Sequence, residues 1–146
     1  MKVTGFRSYH LDLLLRIYPD DQRLQAMSGG IPETKGSFVY TVFDAGEIVA
    51  IMGVLTIWPG LGEVIFYKTS LYDGRVVPYT RVIFQLIDSI QTMGKFHRIQ
   101  AAIPVTDHVA IRFIEFFKFK IESVLSKFGV DGEDYVRFVR FESCHS

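Results

Sequence analysis

FVYTVFDAGEIVAIMGVLTIWPGLGEVIFYKTSLY, residues 38–72, holds three runs rich in β-branched and aromatic residues, separated by Asp44-Ala45-Gly46 and by Pro59-Gly60-Leu61-Gly62. Glycine-bearing turns between apolar runs are hairpin signals, so the stretch predicts an antiparallel meander of three strands. Downstream, VIFQLIDSIQTM places Val82, Ile83, Leu86, Ile87 and Ile90 at helical spacing, with Gly94 as the stop. RIQAAIP then reads as a short strand ending at Pro104. A strand, a helix and a strand in that order form a right-handed crossover, so RIQAAIP is expected parallel to the third strand of the meander.

Further along, Thr106 or Asp107 can cap a helix whose Ala110, Phe113, Ile114 and Phe117 fall on one stripe, while Phe116 lies off it as a possible partner surface. KIESVLSKF and YVRFVRF flank the turn-rich residues Gly129 to Asp134 and predict a terminal hairpin. Upstream of the meander, VTGFRS reads as a first strand, HLDLLLRI as a helix, and DQRLQAMSGG as a second helix ended by its glycines. The order is strand, one or two helices, three strands, helix, strand, helix, two strands. It predicts one α+β domain over residues 1–146.

Composition narrows the function. Sixteen lysines and arginines balance sixteen aspartates and glutamates, so no global field draws the chain to nucleic acid or an anionic membrane. Cys144 is the one cysteine, which excludes an internal disulfide and a cysteine-ligated zinc cluster. His10, His97, His108 and His145 form no i, i+4 metal pair. No apolar run reaches the ~18 residues of a membrane span, and a cytoplasmic location is expected.

Element order, with DHVAIRFIEFFKF from Asp107 to Phe119, resembles the GNAT superfamily of acyl-CoA-dependent N-acyltransferases. That family commonly carries Asn-x-x-Ala-x-x-x-Tyr-x-x-x-Gly-Phe here. This chain places Asp107, Ala110, Ile114, Lys118 and Phe119 at those positions, two of them outright matches. The resemblance implies a GNAT-like fold: a mixed, mostly antiparallel sheet of about seven strands, helices on both faces, and a parallel splay between the fourth and fifth strands. It implies acetyl-CoA as co-substrate and an amine acceptor, either a small molecule or a protein lysine or N-terminus.

The family's cofactor signature is Gln/Arg-x-x-Gly-x-Gly/Ala between the fourth strand and the next helix. Glycines let the backbone approach the pyrophosphate, and the helix's free amides and positive end receive the charge. GRVVPYTR, Gly74 to Arg81, stands there with Arg75 in place but Pro78 and Thr80 at the glycine positions. Proline removes one amide; the amides of Tyr79, Thr80 and Arg81, the Thr80 hydroxyl and the two arginines are expected to remain. The implied cofactor set is Thr69, Ser70, Leu71, Arg75, Val76, Val77, Tyr79, Thr80, Arg81, Asp107 and Phe113. The pantetheine arm would follow the fourth strand.

Direct transfer needs a base for the amine proton and usually an acid for the departing thiolate. Ile114 stands where the family keeps its acidic tyrosine and supplies no proton. Tyr67, Tyr72 and Glu63 are the candidate catalytic groups. Each has a structural alternative: Glu63 follows a Pro-Gly turn, and the tyrosines pack on the sheet. Loss of the glycines and the tyrosine together leaves a second expectation, a catalytically degenerate scaffold for binding or for assembly as a homo-oligomer or with another protein. Asp107 to Phe113 also resembles small acetyltransferase-like virion proteins of short-tailed bacteriophages, which would place the protein in a virion.

Overall fold

The computed structural model describes residues 1–22, 24, 25 and 37–142. Its elements are β1 (Lys2–Gly5), α1 (Ser8–Ile17), β2 (Phe38–Asp44), β3 (Glu47–Trp58), β4 (Leu61–Lys68), α2 (Ser70–Gly74), α3 (Val76–Met93), β5 (Arg98–Pro104), α4 (His108–Phe116), β6 (Lys120–Leu125) and β7 (Tyr135–Phe141). The strands form a seven-stranded mixed sheet in the order β1-β2-β3-β4-β5-β7-β6. As expected, β4 runs parallel to β5, through Leu61↔Arg98, Gly62↔Ile99 and Glu63↔Gln100. The chain divides into two compact units, Met1–Leu55 with Ile65–Arg81, and Thr56–Val64 with Val82–Ser146.

In the first unit β1 and β3 both pair antiparallel with β2. The β2–β3 turn has Ala45 and Gly46 at φ 51° and 78°, the left-handed pair that a two-residue hairpin demands. Seven consecutive buried residues, Ile48 to Val54, make β3 a strand covered on both faces. Phe6, Leu11, Leu14, Leu24, Ile48, Ile51 and Tyr67 cluster as a core. Much of the helix expected over Asp21 to Gly30 lies outside the described residues. Its start is seen: the Leu24 amide donates to Asp21 Oδ1 at 3.1 Å, an N-cap bond.

The second unit pairs β7 antiparallel with both β5 and β6. The helical stripe delivers Ile83, Ile87 and Ile90 to burial, and Phe96, Ile99, Ile114, Phe117, Phe119 and Phe138 are buried in the same unit. Asp107 caps α4 by accepting the Ala110 amide at 3.1 Å, which settles the Thr106-or-Asp107 alternative. At the end of α3 the left-handed residue is Lys95, φ 53°, rather than Gly94. Gly94 serves differently: a Cβ there would meet the Phe96 ring at 2.3 Å, so glycine admits the buried phenylalanine. Among the described residues no helix is long and apolar enough to cross a membrane.

Candidate cofactor site

The strand-to-helix turn is built from the end of β4. Thr69 is pinned to β3, its amide donating to the Val49 carbonyl at 2.9 Å and its hydroxyl to the Ile48 carbonyl at 3.0 Å. Ser70 then opens the single turn of α2, with its Oγ 3.0 Å from the Tyr18 hydroxyl and Leu71 exposed beside it. Arg75 breaks the helical path at φ −145°, ψ 58°, and α3 begins at Val76. A short helix and a one-residue joint thus stand where a glycine-rich loop was the family expectation.

This geometry corrects the amide inventory. The Tyr79 amide donates to the Arg75 carbonyl at 3.3 Å, and Thr80 and Arg81 follow inside the helix. Pro78 is the third residue of α3 and has no N–H. By helix position the amides left for an anion are those of Val76 and Val77, both residues exposed. The Thr80 hydroxyl is also committed: it lies 2.7 Å from the Tyr72 hydroxyl, both groups buried.

Asp44 ties the turn from outside. Its Oδ2 accepts from the Tyr79 hydroxyl at 2.7 Å and from Arg75 Nη1 at 3.0 Å. The Tyr79 bond, then the Met1 amino group and Arg75, hold the Asp44 carboxyl below its ordinary range despite some desolvation. The same bond pushes the Tyr79 phenol up. Arg75 keeps a side chain 61% exposed, with its guanidinium 5.7 Å from the centre of the Tyr79 ring. Arg81 is exposed.

Each candidate catalytic group is engaged by a neighbour within its own unit. Tyr67 donates its hydroxyl to Asp21 Oδ2 at 3.0 Å, and burial pushes the Tyr72 phenol up while Thr80 bonds it. Glu63 belongs to the other unit, where its Oε2 accepts from Gln100 Nε2 at 3.0 Å and from Arg137 Nη1 at 3.4 Å. That ladder continues: Arg98 donates through Nε to Gln100 at 3.0 Å and through both terminal nitrogens to Glu122 at 2.5 Å. Arg98 holds the Glu122 carboxyl below its usual range. Asp107 and Phe113 are also in this unit, the first engaged as a helix cap and the second with its ring centre 4.7 Å from that of Phe117.

Tyr72, Arg75, Tyr79 and Thr80 are therefore brought together, and Asp44 joins them. Sequence reading missed Asp44, which carried only a turn signal. At the other resemblance segment, Lys118 takes φ 66° where the family motif has glycine, the left-handed conformation glycine adopts without strain. Among the described residues no group of three or more His, Cys, Asp or Glu side chains is placed to hold a metal.

Strand order, the parallel β4–β5 pair and the crossover through α3 define the fold of the GNAT N-acyltransferases. A variant of the spermidine N-acetyltransferase SpeG from Vibrio cholerae matches with a TM-score of 0.75 at 14% identity, over 97% of this chain and 95% of its own. The ribosomal-protein-S18-alanine N-acetyltransferase from Escherichia coli matches with a TM-score of 0.76 at 13% identity, over 99% of this chain and 96% of its own. No protein-family model and no curated protein matches the sequence.

Proposed function

We propose that the protein is an N-acyltransferase of the GNAT type that takes an acyl group from acyl-CoA, in the first instance acetyl-CoA, and passes it to an amine. The observation that carries this reading is the start of α3. There the Val76 and Val77 amides, the positive end of an 18-residue helix and the exposed Arg75 side chain come at the strand-to-helix junction that the resemblance implies for the pyrophosphate. The two solved structures act, by their names, on spermidine and on a ribosomal-protein alanine, so an amine acceptor fits the fold's chemistry.

In the transfer the amine nitrogen forms a bond to the thioester carbonyl carbon, the C–S bond breaks, the amine gives up a proton, and the thiolate takes one. This chain's part is to hold the diphosphate of the co-substrate and align the two reactants, a proximity effect that persists without a dedicated acid. Arg75 meets the diphosphate by releasing, or sharing, Asp44.

Acetyl-CoA in the millimolar range is expected to raise the melting temperature, with Arg75→Ala losing most of the rise. No rise overturns the reading. Thiol release with a panel of small amines and lysine peptides then reports chemistry separately from binding. A second reading, a binding or assembly protein on this fold, draws on the burial of Ile114 at the family's tyrosine position and on the Tyr67 and Tyr72 hydroxyls bonded to Asp21 and Thr80. It requires that no amine in the panel releases thiol.

A further inference from the structure

We propose that the cleft bounded by β1, the start of α1 and the β2–β3 turn is a binding site for a small organic carboxylate with an apolar body. The cleft has a volume of about 560 Å³, and Lys2, Thr4, Arg7, Tyr9, His10 and Phe43 are among its lining residues. That volume lies within the ~300–1,000 Å³ typical of small-molecule pockets.

The chemistry of its walls selects the ligand. Thr4 and Thr41 face each other in the β1–β2 register. Thr41 Oγ1 lies 2.8 Å from His10 Nδ1, and the Arg7 backbone amide donates to the same nitrogen at 3.1 Å. A ring nitrogen that accepts carries no proton, so the neutral imidazole of His10 holds its hydrogen on Nε2. Burial first, and then the Arg7 charge, lower the histidine's pKa and favour that neutral form. Thr4 Oγ1 is buried and has no hydrogen-bond partner among the described residues. Among the described residues Nε2–H of His10 and the Thr4 hydroxyl have no hydrogen-bond partner, and both sit recessed in the wall of the cleft.

Charge and shape complete the choice. Lys2 and Arg7 are exposed cations, and among the described residues no aspartate or glutamate lines the cleft. A donor-rich, cation-rimmed wall fits an anion. Tyr9 and Phe43 stand in edge contact with the His10 ring at 4.4 and 5.3 Å, and they give the cleft apolar surface that a bare phosphate would leave uncovered. A carboxylate carried on a ring or short chain matches both halves.

Benzoate is the probe, with benzyl alcohol as its neutral counterpart. Titration of the isotope-labelled protein is expected to give saturable NMR shifts at the His10 ring and Thr4 methyl with a millimolar Kd. Lys2→Gln combined with Arg7→Gln, both exposed and compatible with folding, is expected to weaken benzoate about tenfold. Absence of a saturable shift, an equal response to benzyl alcohol, or a Kd unchanged in the folded double variant would each overturn the proposal.

Discussion

The phenol of Tyr79 donates a 2.7 Å hydrogen bond to Asp44 Oδ2, the same oxygen that takes the Arg75 guanidinium at 3.0 Å. Thirty-five residues separate the tyrosine from its acceptor. A carboxylate from the β2–β3 turn thus stands as the intramolecular anion at a helix start where the proposed function requires a diphosphate.

Asp44→Asn removes that competing charge. Acetyl-CoA is expected to bind about two- to fivefold more tightly, the range an exposed ion pair commands, and the melting temperature without ligand to fall. Calorimetric titration reads the first and thermal unfolding the second. The pH dependence has a fixed sign. Because the folded state depresses the Asp44 pKa below 3.8, the stabilisation is present above that value and lost as pH falls through the folded one. An unchanged affinity in Asp44→Asn contradicts the idea that Asp44 competes with the ligand for Arg75.

Tyr72→Phe leaves the buried Thr80 hydroxyl without its tyrosine partner, a loss of about 1–3 kcal/mol. Thr80→Val removes the same hydrogen bond from its other side. Removing both members together is expected to destabilise less than the sum of the single changes, by about 1 kcal/mol. Denaturant unfolding of the four proteins measures the coupling, and strict additivity would dismiss the hydrogen bond as a stabilising element.

His10 is 1% exposed and its folded pKa lies below 6.5. The unfolded chain therefore binds the proton first as pH drops. Stability should be level above pH 6.5 and decline between 6.5 and the folded pKa, through this group. An NMR titration of the ring locates the folded pKa, and thermal unfolding across the same window reads the slope. A ring that titrates above 6.5 reverses the sign.

Adjacent phenylalanines at the end of α4 make an internal control. Phe117 is 1% exposed and in ring contact with Phe84, Phe113 and Phe116, whereas Phe116 is 62% exposed. Phe117→Ala is expected to remove about 3–5 kcal/mol of unfolding free energy. Phe116→Ala forfeits edge contacts only, about 1 kcal/mol. Similar losses for the two would mean that the stripe reading of α4 is wrong.

Local signals made the fold legible. Turn residues at 44–46 and 59–62 separate the strands of the meander, and the isoleucines at 83, 87 and 90 mark one helix face. Both are encoded within a few residues of one another. The candidate site was legible by position alone. Its particulars rest on partners distant in sequence: Asp44 with Arg75, Tyr67 with Asp21, Glu63 with Arg137. Neither hydrophobic period nor turn chemistry carries that information. The Tyr79 amide is engaged for a related reason: α3 starts at Val76, ahead of the helical spacing legible from Val82, so its free amides lie before Pro78.

The placement of β7 between β5 and β6 has a consequence for synthesis. β6 leaves the ribosome before the strand that joins it to the sheet, and at ~5–20 residues per second it waits roughly a second or more for that strand. During that interval Ile121 and Val124 have neither Phe138 nor Val136 beside them. The nascent chain then presents a strand with unpaired backbone N–H and C=O groups until translation supplies Tyr135 to Phe141 and the hairpin closes.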